Sequence, residues 1–493
     1  MSLAARGCGT SPMAMKDSAR SPDAGQLRAL LFAVPMLVYL LCGPVFYGWD
    51  GEIMYRVSES MALHWSVQIV DPIYHFAQPY SPYGIGTSLL LLPLVAAGHW
   101  LLHDPRALVI TFLPAITAFT VLALNSLLRE LGVSWTRAAM ISLLYAFGTL
   151  AWHYAGVLFS EPVLALCVTT GVLWSLRFRR TGQSRWLIAA GGATGLALLT
   201  REDSAFLVIP VLGLYTGWLV LRARPPWRRR LRGAFAYGTP IAVAVLIALS
   251  YHLVRYGMGV GPYGSDGMGF SEPLLSGLYG LLLSPGVGLL VFMPVLALFF
   301  IGLPRMAARW RAETLVIAAL VIVRLLFFAR WWAWGGGDTW GPRYLVPLIP
   351  LMLVPVALLS GVRWRIATIS LGVLGVGVEV LGQLVPYNFY FFHVVPSLAA
   401  RLGICSCAPP PGAGSRAIHQ VMAFDWHYAP LVVQTQDLVH GLIAPAFAPI
   451  MVLAIPVLVG VAVGIWRMHR LAGRLDRSSP RLTMGRPLNE SAA

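Results

Sequence analysis

Asp50 and Glu52 stand two residues apart in the segment GWDGEIMYRVSESM, with Tyr55, Arg56 and Glu59 directly behind them. A carboxylate at the mouth of a membrane can be an ordinary solvated acid, or it can take a proton from an acceptor hydroxyl as a general base. Two acids packed with an arginine and a tyrosine favour the second use. Farther along, HYAGVLFSEPVLAL brings His153 and Glu161 to the boundary between two apolar stretches. An acid that opens an apolar run needs a partner or water. Glu161 and Asp50 could divide acid and base roles or share a divalent metal ion, while His153 could equally be a satisfied interfacial histidine. In LTRED, Arg201 is flanked by Glu202 and Asp203. Such a turn can be a local salt bridge, or its guanidinium fork can grip a lipid phosphate. Arg255, Arg330 and Arg343 permit the same two readings.

Two further segments supply aromatic rings and backbone freedom. ARWWAWGGGDTWGPRYLVPLIP joins four tryptophans, a glycine run, Asp338 and the group Gly341-Pro342-Arg343-Tyr344 at the start of an apolar stretch. An interfacial tryptophan belt explains the indoles but not the glycines. Gly335 to Gly337 let backbone approach a ligand closely, aromatic faces suit sugar rings, and Arg343 could meet a phosphate at a helix start. YSPYGIG places Tyr80 and Tyr83 beside flexible glycines, for anchoring or for binding.

The elements that must position these residues are membrane helices. Of 493 residues 57% are hydrophobic and 11% charged, against roughly 25% charged in a soluble domain. Apolar runs near the roughly 20 residues needed to cross a bilayer recur along the chain. The expected fold is all-α and integral to the membrane, with about twelve spans at 27–46, 107–128, 138–156, 160–176, 186–200, 204–221, 234–254, 285–303, 312–328, 344–361, 366–384 and 446–466. The net charge of +16 would suit a nucleic-acid partner, but 35 of the 36 basic residues are arginines in short clusters between apolar runs. That pattern encodes topology, and no nucleic acid is expected.

The apolar stretch 84–102 decides the parity. If it does not cross, the cytoplasmic segments hold 27 Lys and Arg against 8 outside, as the positive-inside tendency requires; if it crosses, the bias inverts. It is therefore read as a surface or re-entrant helix in a long first external loop, 47–106, with a second at 385–445. The first 26 residues are expected to form a cytoplasmic tail before an uncleaved anchor, and 467–493 a basic cytoplasmic tail, in the cell's inner or plasma membrane. Cys42 and Cys167 fall within spans as packing residues, and Cys405 and Cys407 could be a metal pair or incidental. No repeat of 20–50 residues is evident, nor the paired broken helices of an inverted-repeat transporter.

In their order along the chain, GWDGEIMY, YSPYGIGTSLLLLP, FSEPVLAL, GLALLTRED and WGPRYLVPLIP resemble the GT-C superfamily of glycosyltransferases that use polyprenyl-phosphate sugars. Protein O-mannosyltransferases and lipid A aminoarabinose transferases belong to it. The resemblance implies a GT-C-type fold whose first external loop carries interfacial helices. It also implies that Asp50 is the catalytic base with Glu52 as neighbour, that Glu161 is the second acid, and that Arg201 contacts the donor phosphate where relatives often carry lysine. Gly51 separates the acids here, whereas relatives commonly show an Asp-Glu doublet, and in place of a soluble C-terminal domain only the 385–445 loop is at hand. The reading is sugar transfer from a polyprenyl-phosphate sugar donor to a hydroxyl of an envelope glycan, lipid or protein acceptor, in contact with membrane lipid. Asp50, Glu52 and Glu161 would be catalytic, and Arg56, Tyr83, His153, Arg201, Asp338, Arg343 and Tyr344 would bind substrate. A divalent metal ion, if used, would sit on Asp50 and Glu161. The alternative is a flippase or transporter of an isoprenoid-linked lipid, which would depend on the intramembrane charges Arg324 and Glu379.

Overall fold

The computed structural model of the chain describes residues 21–42, 49–70, 79–222, 226–259, 261, 269–337, 339–404, 413–441 and 447–478, the side chains of 42, 413–416 and 447–458 excepted. Its regular structure is helical throughout, as a solvent that cannot satisfy backbone amides demands. The chain begins with α1 (Pro22–Cys42), α2 (Trp49–His64) and α3 (Gly86–Leu102), followed by α4 (Phe112–Glu130), α5 (Trp135–Phe147), α6 (Ala151–Gly156), α7 (Glu161–Thr181) and α8 (Ser184–Thr200). A single turn at Ser204–Leu207 leads into α9 (Ile209–Arg222), then α10 (Trp227–Tyr256), α11 (Leu274–Leu283), α12 (Ala297–Ala307) and α13 (Arg311–Arg330). The 3₁₀ segment Arg343–Leu348 opens α14 (Ile349–Ala357), and α15 (Val362–Leu384), α16 (Tyr387–Arg401), α17 (Ala413–Phe424), α18 (Pro430–Val439) and α19 (Phe447–Ser478) complete the order.

Seven helical segments among the described residues are long and apolar enough to cross a membrane, with four shorter apolar helices beside them. In α10 only 17% of the apolar window is buried, and Phe235, Leu246, Leu249 and Leu253 are exposed. A contiguous apolar face of this kind is stable against lipid but not against water, and the chain is a multi-pass membrane protein. Several of the expected spans are interrupted, and in two the cause is plain. The stretch 138–156 divides into α5 and α6 around Gly148, where α15 crosses so closely that a Cβ on Gly375 would stand 2.4 Å from the Gly148 carbonyl oxygen. The stretch 285–303 breaks ahead of Pro294, whose ring cannot continue a helix already under way.

The bundle has two chemically distinct ends. At one, Glu130 of α4 accepts from Arg177 at 3.1 Å and Arg180 at 2.6 Å, both on α7. Asp476 of α19 accepts the backbone N–H groups of Trp135 and Thr136 at 2.7 and 3.0 Å, a carboxylate placed where the α5 dipole favours one. The opposite end gathers Asp50, Tyr83, Glu161, Arg201 and Arg343. Both flanks of α3 are tied there: Tyr83, ahead of it, reaches Asp50, and Arg106, behind it, reaches Glu52. The segments before and after α3 are thus both fastened to the start of α2. Cys167 is buried in α7 as a packing residue, whereas Cys405, Cys407 and both terminal tails through residue 20 and from 479 lie outside the described residues.

Candidate active site

Asp50 and Glu52 occupy positions i and i+2 of α2. On an α-helix that spacing points side chains roughly 200° apart, so the two carboxylates serve different partners. Both oxygens of Glu52 are taken by Arg106, at 2.6 and 3.0 Å, and one of them also by Arg56 at 2.7 Å. Arg56 bonds Glu59 at 2.8 Å, and the Tyr55 hydroxyl donates to the same carboxylate at 2.7 Å. Burial and the Glu59 hydrogen bond raise the Tyr55 pKa above its ordinary value, keeping it a neutral donor. Glu52 and Arg56 therefore belong to a clamp that fastens α2 to the chain beyond α3, and the structure does not bring them to Asp50.

Gly51 has a packing reason. A Cβ at that position would stand 2.3 Å from the Leu158 carbonyl oxygen and 2.7 Å from the Leu158 Cβ, so only glycine lets α2 lie against the segment that leads into Glu161. Gly51→Ala is expected to push α2 outward and cut activity at least tenfold without abolishing expression. The measurement is turnover alongside a thermal-unfolding midpoint, since a displaced Asp50 lowers the first more than the second.

Asp50 accepts the Tyr83 hydroxyl at 2.6 Å on one oxygen and Arg343 Nη1 at 2.9 Å on the other. From there a chain of alternating charge runs inward. Arg343 Nε is 3.3 Å from Glu161 Oε1, which also accepts Arg201 Nη1 at 2.6 Å. Arg201 pairs with Asp203 Oδ2 at 3.1 Å, and Arg324 Nη1 lies 3.9 Å beyond. Three carboxylates and three guanidiniums thus balance, a requirement for charges this deep: Glu161 is 1% and Arg324 2% exposed. Burial pushes the Asp203 carboxyl up, but Arg201 and Arg324 outweigh it and hold its pKa below the ordinary value. Burial likewise opposes the charge on Arg201, and Asp203 and Glu161 hold its pKa above the usual range.

Aromatic rings floor this lattice. Tyr344 stacks on Phe328 with ring centroids 4.0 Å apart and planes 8° from parallel. Arg201 and Arg343 lie 5.5 and 5.1 Å from the Tyr344 ring, and Arg343 is 4.7 Å from Phe159. The Tyr344 carbonyl accepts from Arg324 Nε, while Arg324 Nη1 and Nη2 make no hydrogen bond among the described residues. Tyr83 is held by Arg255, which donates to the Ser81 and Tyr83 carbonyls at 3.1 Å each and pairs with Glu202. Gly84 and Gly86 let this loop rest on the end of α8: their Cβ atoms would come within 2.4 Å of Leu199 O and 2.6 Å of Thr200 N.

His153 is not part of the lattice. It is buried in α6, where its backbone N–H donates to Glu379 Oε2 at 3.3 Å and its ring lies 6.0 Å from that of Trp340. Glu379 thus caps the start of α6, and the next residue, Tyr154, donates to the Trp340 carbonyl at 3.0 Å, steadying the turn that delivers Arg343. Asp338 lies outside the described residues. A divalent ion shared by Asp50 and Glu161 does not fit this arrangement, because the Arg343 guanidinium already bridges the two carboxylates; no step below is routed through a metal. Arg324 and Asp203 are site residues that spacing did not single out as such. An arginine inside an apolar span was the available signal for Arg324, but its partner is invisible without the fold.

Residues 93–251 match the family model of dolichyl-phosphate-mannose-protein mannosyltransferases. The chain is similar to the crystal structure of ArnT from Cupriavidus metallidurans bound to undecaprenyl phosphate, at 18% identity and a TM-score of 0.48, over 92% of this chain and 77% of that one. It is also similar to the apo crystal structure of an oligosaccharyltransferase from Archaeoglobus fulgidus, at 12% identity and a TM-score of 0.40, over 94% of this chain and 57% of that one. No curated protein sequence matches it. The family match, on an all-helical membrane fold, places the chain among the membrane glycosyltransferases, the class its motifs resemble.

Proposed function

We propose that the chain moves a sugar from a polyprenyl monophosphate carrier to an acceptor hydroxyl of an envelope glycan, lipid or protein, at the external face of the cell's inner or plasma membrane. Both tails, 1–26 and 467–493, then face the cytoplasm, and loops 47–106 and 385–445 face outward around the membrane domain 27–466. The observation that carries this reading is the joining of Asp50, partly open to solvent, to a buried lattice of three arginines. Arg324 brings two N–H-bearing nitrogens that make no hydrogen bond among the described residues, and a phosphate would supply oxygens to them.

The steps follow from the geometry. An incoming phosphate draws Arg343 away from Asp50, since a guanidinium fork binds phosphate in two-point fashion. Asp50, still positioned by Tyr83, accepts the proton of the acceptor hydroxyl as its oxygen bonds to the anomeric carbon. The bond from that carbon to the phosphate oxygen breaks, and the polyprenyl phosphate leaves with the electron pair. Arg201, Arg324 and Arg343 offset the charge that grows on it, preorganised so that no reorganisation is needed at the moment of reaction. The carrier reading would call on Arg324 and Glu379; Arg324 lies 3.9 Å from Asp203 within the lattice and Glu379 accepts the His153 N–H of α6, placements that favour transfer.

The test is transfer of radiolabelled sugar from a panel of polyprenyl-phosphate sugars into native membrane extract by purified protein in lipid nanodiscs. Label should move into a larger product. Folded protein that transfers from none of the donors, yet moves the unmodified lipid across a bilayer, would replace this reading with the carrier.

A further inference from the structure

A cavity of ≈ 110 Å³ lies between the glycine run and helices α16 to α18 of the second long loop. That is roughly tenfold the ~10–15 Å³ that one water requires. Its walls include Trp332, Trp334, Tyr387, Tyr390, His419 and Gln420, with Gly335 and Gly337 contributing backbone. The aromatic wall is rigid: the Tyr387 and Tyr390 rings lie 5.1 Å apart, and the Tyr390 hydroxyl donates to the Tyr428 carbonyl at 2.6 Å. Where a Cβ of Gly335 or Gly337 would stand there is open space, and a φ of +74° at Gly337 keeps that position for glycine.

The chemistry of the lining narrows the occupant. Among the described residues that form it there is no Asp, Glu, Lys or Arg, and these offer no counter-charge to a phosphate or a charged head group. It is not purely apolar either. Gln420, His419 and the backbone of Gly335 and Gly337 give its wall a polar edge. An isoprenoid tail would leave that edge unused. A neutral sugar ring uses both surfaces, with C–H faces against the aromatic rings and hydroxyls at the polar edge.

The cavity also adjoins the lattice. A Cβ on Gly336 would stand 3.2 Å from the Arg343 Cβ, and the Tyr387 ring lies 6.5 Å from that of Trp340, whose carbonyl Tyr154 holds. We propose that this cavity is an acceptor subsite that binds an uncharged pyranose ring and presents its hydroxyl toward Asp50. The proposal rests on the glycosyl-transfer reading above.

The test is saturation-transfer-difference NMR on the protein in nanodiscs. One arm uses a panel of methyl pyranosides, the other farnesyl phosphate as a probe of the arginine lattice. At least one methyl pyranoside should receive saturation on its ring C–H protons. Ala333→Trp, which fills the cavity, should weaken that binding at least tenfold, and Gln420→Leu, which keeps the bulk and removes the amide, several-fold; farnesyl phosphate binding should not change. No pyranoside bound by the wild type, or equal binding by Ala333→Trp, would overturn the subsite. So would loss of farnesyl phosphate rather than sugar from Ala333→Trp, which would make the cavity a lipid site. Pyranoside binding that Ala333→Trp removes, in a protein that neither binds farnesyl phosphate nor transfers sugar, would instead sink the transfer reading while the cavity assignment stood.

Discussion

Asp50→Asn is expected to lower the rate of sugar transfer by about 10²–10⁴-fold, the range that a positioned general base contributes, with fold and lipid-phosphate binding retained. Asparagine keeps an oxygen to accept the Tyr83 hydroxyl. It loses the charge that meets Arg343, but Glu161 still holds that guanidinium from the other side. The variant therefore removes proton acceptance with little disturbance to the lattice. Single-turnover transfer at saturating donor is the measurement, with farnesyl phosphate binding as the control. A rate within threefold of wild type would remove Asp50 from the chemistry and direct attention to Glu161. Glu52 is a weak substitute, because its oxygens are committed to Arg56 and Arg106.

Arg343→Gln is expected to cost about 10²–10³ in kcat/KM for the donor, the loss found when one preorganised donor to a developing anion is removed. Among the described residues Arg343 alone forms ion pairs with both Asp50 and Glu161, so in the proposed mechanism it links the base to the phosphate site. Arg343→Lys should recover little of the loss: a single ammonium cannot reproduce the fork that spans two carboxylates. Donor titrations separate the effects. A higher KM with an unchanged kcat would make Arg343 a binding residue only, whereas a fall in kcat at saturating donor places it in the transition state. The more deeply buried Glu161 makes a poorer probe. Its removal would leave Arg201 and Arg343 partly uncompensated, a disturbance of order 3–5 kcal/mol that confounds activity with stability.

Before any coordinates, the apolar runs, the shortage of charge and the spacing of the arginines determine that this chain is an all-helical membrane protein. Asp50, Glu161, Arg201 and Arg343 were legible for one physical reason: a charge beside an apolar run is costly enough that its presence implies a partner or a use. What the sequence could not supply was the pairing. Asp50 meets Arg343 across 293 positions, and Arg201 meets Glu161 across 40; no periodicity encodes contacts at such separations. Only the tertiary structure turned Glu52 away from Asp50, drew Arg324 and Asp203 into the lattice, and set Glu379 to cap α6. Helix identity is decided locally, by backbone satisfaction and side-chain polarity within a few turns. Which buried charges neutralise one another depends on how the helices cross, and that is settled by the packing of the whole bundle.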